Sequence, residues 1–227
     1  MSKVLPLLLF IGLILGQKEY SIDQIIEQNG VHKKKISFEI ANGIVYQKFG
    51  DRRILIGWLK NGKKDSLWTE LYSNGSKKSK TMYKDGLMNG KSIEWYDNGN
   101  IKYEWHYIDG IEDGLLKAWY KNGQKKSEYS FRNGQKSGLW TFWYNNGQKE
   151  MEYSFKNGMT EGLYTMWYKD GNKFSEGYYK NDKYEGLWTW WYNNGQKSSE
   201  GTFKNGQIIF SKNWNKDGSI KKMSTYD

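Results

Sequence analysis

Glycine recurs along this chain at a fixed interval, and this interval constrains the fold more than any other feature. The first series runs at 24 residues, with 23 before its last member: Gly75, Gly99, Gly123, Gly147, Gly171, Gly195 and Gly218. Two more series keep the spacing, except where Asp182 and Ser66 replace a glycine: Gly62, Gly86, Gly110, Gly134, Gly158 and Gly206, and Gly90, Gly114, Gly138, Gly162 and Gly186. Such a period is the signature of a repeat architecture, in which each unit contacts its neighbours.

Each unit holds two short runs of aromatic and β-favouring residues, and each run typically ends at a turn glycine. In the clearest copy, residues 138–158, the two turns are Asn146-Gly147 and Asn157-Gly158. Asn-Gly suits a two-residue type I′ hairpin turn because both central positions need a positive φ. We therefore predict an all-β fold, an elongated single antiparallel sheet of stacked β-hairpin repeats.

The repeats and their flanks divide the chain into five segments. They are a signal peptide (1–16), an N-terminal cap and connection (17–35), a degenerate first repeat (36–65), six repeats of 24 residues (66–209) and a partial C-terminal repeat (210–227). The leader has a positive start at Lys3 and an apolar run from Val4 to Leu15. That run is shorter than the ~20 residues that span a bilayer, which favours a cleaved signal over an uncleaved anchor. We expect an exported protein, periplasmic, cell-surface or secreted.

The cap carries a sequence signal for the start of a helix. Ser21 and Gln24 have the spacing of a capping box, and isoleucines give the next residues one apolar face. These features predict a short helix over 22–28, ended by an Asn-Gly pair. The basic run that follows, 32–35, is interpreted as a solvated connection.

Two aromatic rows precede the first turn of each unit. The Tyr row lies three residues before the turn glycine: Tyr72, Tyr96, Tyr120, Tyr144, Tyr168 and Tyr192. The residue before it is Leu71 in the first unit and forms the Trp row in the others: Trp95, Trp119, Trp143, Trp167 and Trp191. Successive strand residues point to opposite faces of a sheet. With a two-residue turn, Trp140 and Phe155 share the face of Tyr144, which predicts a ring-dense core there and leaves the Trp row as the candidate binding surface.

One glutamate also repeats per unit, on the face of the Trp row: Glu104, Glu128, Glu152, Glu176 and Glu200. Equivalent positions in alternate strands lie roughly 9–10 Å apart, too far for neighbouring carboxylates to share an ion or a proton. We therefore predict cross-strand pairing with Thr and Lys. Cysteine is absent, and His106 is an isolated histidine at an exposed position. These observations predict no catalytic residues, no metal site, no cofactor and no enzyme activity.

The unit Gly-Leu-Trp-x-x-Trp-Tyr-x-Asn-Gly-Gln-Lys, followed by an aromatic residue and x-Asn-Gly, resembles the MORN-repeat variant of many bacterial proteins. The closest copies are 138–149 with 155–158 and 186–197 with 203–206, and the resemblance covers about 43–227. It implies stacked hairpins without a catalytic motif. Many bacterial relatives are labelled antitoxins of toxin–antitoxin systems, and others are secreted or surface proteins. Eukaryotic relatives are linked to membrane lipids or to scaffolding.

Trp- and Tyr-rich hairpin repeats also resemble cell-wall-binding modules that recognise choline or glucan. Those repeats are nearer 20 residues long, so the constant period of 24 argues against them. The net charge of +10 favours acidic partners, although lysines also protect sheet edges from aggregation. We expect an exported scaffold that binds a protein through the Trp row. An envelope lipid or glycan, and an antitoxin-like role, remain alternatives, and no nucleic acid is expected because of the export signal.

Overall fold

The computed structural model describes residues 17–226, so the predicted signal peptide lies outside the described part. Within this part the fold is all β apart from one 3-10 turn, and the strands form an open sheet of 19 strands and a separate two-stranded hairpin. The predicted single sheet of hairpin repeats is confirmed. No helix in residues 17–226 is long and apolar enough to cross a bilayer. The chain forms two compact units, which meet in sequence at Ser92 and Ile93.

The first unit contains the 3-10 turn Ile22–Gln24 and the strands up to the start of β8, with β1 parallel to β4. Its strands are β1 (Glu19–Ser21), β2 (Ile25–Gln28), β3 (Val31–Lys34), β4 (Gly43–Phe49), β5 (Arg52–Lys60), β6 (Lys63–Leu71), β7 (Lys77–Lys84) and β8 (Leu87–Trp95), of which β8 continues into the second unit.

The second unit continues the array of consecutive antiparallel strands. Its strands are β9 (Ile101–Ile108), β10 (Ile111–Glu112), β11 (Gly114–Trp119), β12 (Lys125–Arg132), β13 (Gln135–Trp143), β14 (Lys149–Lys156), β15 (Met159–Thr160), β16 (Gly162–Trp167), β17 (Lys173–Lys180), β18 (Lys183–Trp191), β19 (Lys197–Lys204), β20 (Gln207–Trp214) and β21 (Ile220–Thr225).

The cap is a 3-10 turn followed by a hairpin, so the predicted helix over 22–28 is wrong beyond its first turn. The Ser21 backbone N–H donates to the Gln24 side chain at 3.0 Å, as a capping box requires. The chain then extends into β2, because β-branched isoleucines favour a strand and the next two residues form a type I′ turn. These two residues are Asn29 at φ 51° and Gly30 at φ 75°.

The basic run 32–35 is also not a solvated connection, because most of it belongs to β3. His32 is 8% exposed. Its backbone N–H and its Nδ1–H both donate to the Gly62 carbonyl, at 2.6 Å and 2.9 Å. The apolar core of this unit lies close by and joins the cap to β4–β6: Tyr20, Ile25, Ala41, Val45, Ile56, Leu59 and Trp68.

The two turns of a repeat differ in geometry. Asn157 and Gly158 have φ of 53° and 79°, which confirms the type I′ turn there. At the first turn only Gly147 is left-handed, at φ 86°, and its N–H donates to the Tyr144 carbonyl at 3.0 Å. Tyr144 pairs in turn with Gln148, through a 2.9 Å bond from its own N–H. This is a three-residue turn with a glycine bulge, so the predicted two-residue turn is wrong at this position.

The Tyr row lies outside the ring cluster that was predicted to include it, because the longer turn ends the strand before Tyr144. The Tyr144 hydroxyl donates instead to the Trp167 carbonyl of the next repeat at 2.8 Å. The same bond recurs at the neighbouring units: Tyr96 to Trp119, Tyr120 to Trp143, Tyr168 to Trp191 and Tyr192 to Trp214. Burial raises the pKa of the Tyr144 phenol. The tyrosines of the Tyr row therefore link successive repeats through hydrogen bonds.

The core of the second unit is a face of interlocking rings, which we call the ring face: Tyr129, Phe131, Trp140, Phe142, Tyr153, Phe155, Tyr164, Tyr179, Tyr184, Trp188 and Phe203. The prediction that Trp140 and Phe155 share the core face is confirmed, and both are buried. Trp140 stacks on Tyr129 with centroids 4.4 Å apart. Burial raises the pKa of Tyr164 to about 12.

Candidate binding face

The opposite side of the sheet carries the predicted Trp row, and we call it the Trp face. In the clearest repeat it consists of Leu139, Thr141 and Trp143 on β13 and of Glu152 and Ser154 on β14. Leu139 pairs with Ser154 and Thr141 with Glu152 across the strands. All five members of the Trp row are half-buried rather than fully exposed.

Lysines of the preceding repeat cover part of the Trp row. Among the ring–lysine pairs are Lys125 over Trp143 at 4.9 Å, Lys149 over Trp167 at 5.6 Å and Lys173 over Trp191 at 5.4 Å. Trp119 differs because Ile101 stands in the position equivalent to Lys125. A cation over an indole ring is attracted by the ring quadrupole, so these tryptophans contribute to the contact between repeats.

The repeated glutamate is bound by a threonine and a lysine of its own repeat. Glu152 accepts a hydrogen bond from the Thr141 hydroxyl across the strands at 3.1 Å and one from the Lys149 ammonium at 2.6 Å. Lys173 and Glu176 repeat this ion pair at 2.6 Å. The predicted pairing with Thr is confirmed, whereas the lysine lies three residues earlier on the same strand rather than across from the glutamate.

The face carries no arrangement suited to metal chemistry in the part of the chain that the structure describes. No group of three or more His, Cys, Asp or Glu there could hold a metal ion. His106 is exposed, and its Nδ1 lies 3.1 Å from the Asp113 carbonyl, to which it can donate. The glutamates of the Trp face form ion pairs with lysines of their own strands, as Glu152 does with Lys149 and Glu176 with Lys173.

A row of exposed leucines shares the Trp face, and the sequence analysis did not identify it. Leu115, Leu139, Leu163 and Leu187 are 43%, 53%, 45% and 54% exposed. Tyr178, directly opposite Leu163 across the strands, is 57% exposed. The signal is present in the sequence, since the Leu of each Gly-Leu pair lies two positions from the threonine column of the same face. We call these four leucines the Leu row.

The paired turns, the two-faced hairpins and the 24-residue interval define a protein built from stacked β-hairpin repeats. Five consecutive segments match the family model described as MORN repeat variant: residues 88–109, 112–133, 136–157, 160–181 and 184–205. The chain belongs to this family, as the sequence resemblance predicted. Proteins of this family are generally non-catalytic repeat scaffolds for protein or membrane interaction. No curated relative matches the chain.

Proposed function

We propose that this protein is a non-enzymatic, exported scaffold that binds a partner protein through its Trp face, with the Leu row and the Trp row as contacts. The observation that supports this proposal most is the Leu row, four leucines between 43% and 54% exposed at the same place in successive repeats. Exposed apolar side chains that recur on one face are more typical of an interaction surface than of a surface that stays in contact with solvent.

The centre of the Trp face suits a protein partner better than a polyanion. Between the Leu row and the Trp row, Glu152 is already neutralised by Lys149, and Glu176 by Lys173. A surface of apolar rows separated by paired charges offers aromatic anchors and little net electrostatic field.

Export rests on the sequence of residues 1–16, and mass spectrometry of the native protein should find a mature chain that begins at Gln17.

Truncating the Leu row should weaken partner capture without unfolding the array. We expect the double variant Leu139→Ser/Leu163→Ser to capture at least fivefold less of its partner from the native envelope fraction, a loss of about 1 kcal/mol. The melting temperature should barely change, because exposed side chains contribute little to stability. Trp143→Ala should also weaken capture, but with some loss of stability, since Lys125 packs on its ring.

The matched control is Lys136→Gln, which alters a side chain of the ring face, where Lys136 lies 5.2 Å from the Trp140 ring centroid. Its capture should equal that of the unmodified protein. If the leucine variant captures as much partner as the control does, the Trp face is not the binding surface.

A further inference from the structure

The positive charge of this protein is concentrated in its first unit. Residues 17–92 carry 15 Lys and Arg against 8 Asp and Glu, a formal charge of +7, whereas residues 93–227 carry 19 against 17. The repeat ladder shows where the difference arises. Lys80 occupies the column that holds Glu128, Glu152, Glu176 and Glu200 in later repeats.

The first repeat keeps the threonine and the lysine that donate hydrogen bonds to this glutamate in later repeats, but it lacks the glutamate itself. In the later repeat, the carboxylate of Glu152 accepts from Thr141 and Lys149. The equivalent residues are Thr69, which pairs with Lys80 across the strands, and Lys77. Within residues 17–226 neither Thr69 nor these two lysines has a side-chain hydrogen bond or an ion pair, and the nearby Glu70 pairs with Lys78 at 3.5 Å.

Apolar side chains flank this basic position on the same face. Leu67 and Met82 lie opposite each other across β6 and β7, two residues from Thr69 and Lys80, and they are 43% and 38% exposed. Lys84 continues the face toward the turn and is exposed. The patch thus combines unpaired cations with apolar contacts within the first unit.

We propose that this patch, comprising Leu67, Thr69, Lys77, Lys80 and Met82, binds an acidic segment of a partner protein through the carboxylates of that segment. The inference rests on the proposed function and specifies the chemistry of the partner. In a later repeat of the same chain, a carboxylate in the column of Lys80 accepts from the equivalent Thr hydroxyl and Lys ammonium, so these two groups are suitable donors to a carboxylate. A protein carboxylate matches both the donors and the neighbouring apolar side chains.

The test uses the full chain and a short synthetic peptide rich in Glu and Leu, with Gln replacing Glu in the control peptide. Lys80→Glu gives the first repeat the residue that later repeats carry, so this variant should fold with an unchanged or higher melting temperature. We expect it to bind the acidic peptide about tenfold more weakly at low salt, because attraction is replaced by repulsion and by an internal carboxylate. The Gln peptide should not bind.

Lys222→Glu is the control for net charge, since Lys222 is exposed on β21 in the second unit. It should weaken peptide binding less than twofold. Equal losses for the two variants, or no loss for Lys80→Glu, would overturn the proposal. Vesicles containing an anionic phospholipid form a further arm, and loss of vesicle binding without loss of peptide binding would assign the patch to a membrane surface instead. Unchanged capture by Leu139→Ser/Leu163→Ser would separately contradict the proposed function.

Discussion

Replacing Trp188 by alanine should lower the free energy of unfolding by about 3–5 kcal/mol, the usual cost of removing a fully buried ring. Trp188 is 1% exposed. Its ring centroid lies 4.0 Å from that of Tyr184 and 5.2 Å from that of Tyr179. The indole N–H donates to the Tyr178 carbonyl at 3.0 Å, at a point where the register of β17 and β18 shifts.

Urea unfolding of the full chain, with hydrogen exchange to locate the loss, would measure this effect. Because repeat proteins distribute stability over neighbouring units, protection should fall most in the strands around β18. Trp191→Ala is the matched control, since this half-buried tryptophan of the same strand lies on the Trp face under Lys173. We expect less than half the loss for the control. Equal losses would mean that both faces contribute equally to the core.

The repeat order of the fold could be predicted from the sequence, but one turn could not. The same dipeptide, Asn-Gly, forms a type I′ turn at Asn157 and a three-residue turn at Asn146. The difference lies in longer-range contacts. The Asn146 side chain accepts from the Gln148 N–H at 3.1 Å and donates to the Lys169 carbonyl of the next repeat at 2.7 Å. The turn propensity of the Asn-Gly dipeptide carries no information about that second contact, which is made with another repeat.

The cap was mispredicted for a related reason. The capping-box spacing at Ser21 is a local signal, and it does form one turn. The helix does not continue because burial of Ile25 in the core of the first unit, together with the two bonds from His32 to Gly62, stabilises the hairpin instead. Tertiary packing overrides a short helix signal of this kind.

The candidate site was predictable only in part. Alternation along a strand correctly separates Trp143 from the ring face, since successive residues point to opposite sides. How far each apolar side chain is covered depends on its neighbours in adjacent strands. Leu139 is exposed because Ser154 lies opposite it, whereas Trp143 is partly covered by Lys125 of the preceding repeat. Such coverage depends on cross-strand register, which the longer turn alters.

Glycines inside the strands of the ring face leave space for a neighbouring ring. Substituting such a glycine is therefore expected to have the second large effect on the free energy of unfolding. Trp188 pairs with Gly201 across the strands, and a Cβ added at Gly177 would lie 2.1 Å from Trp188 Cδ2. The equivalent positions around Trp140 hold Tyr129 and Tyr153 instead of glycine. Gly177 does not adopt a left-handed φ, and a substitution there tests contact rather than backbone strain.

We expect Gly177→Ala to lower the free energy of unfolding by about 1–3 kcal/mol, as overpacking of a core does. In a Trp188→Ala background the same substitution should cost almost nothing, because the ring that obstructs the new methyl group is absent. A double-mutant cycle in urea should therefore give a coupling free energy of at least about 1 kcal/mol. Gly162→Ala is the additive control, since nothing lies within 4 Å of its added Cβ and its φ of 94° makes strain the cause of any loss. An additive result for Gly177→Ala would mean that Trp188 does not rest on the Gly177 backbone.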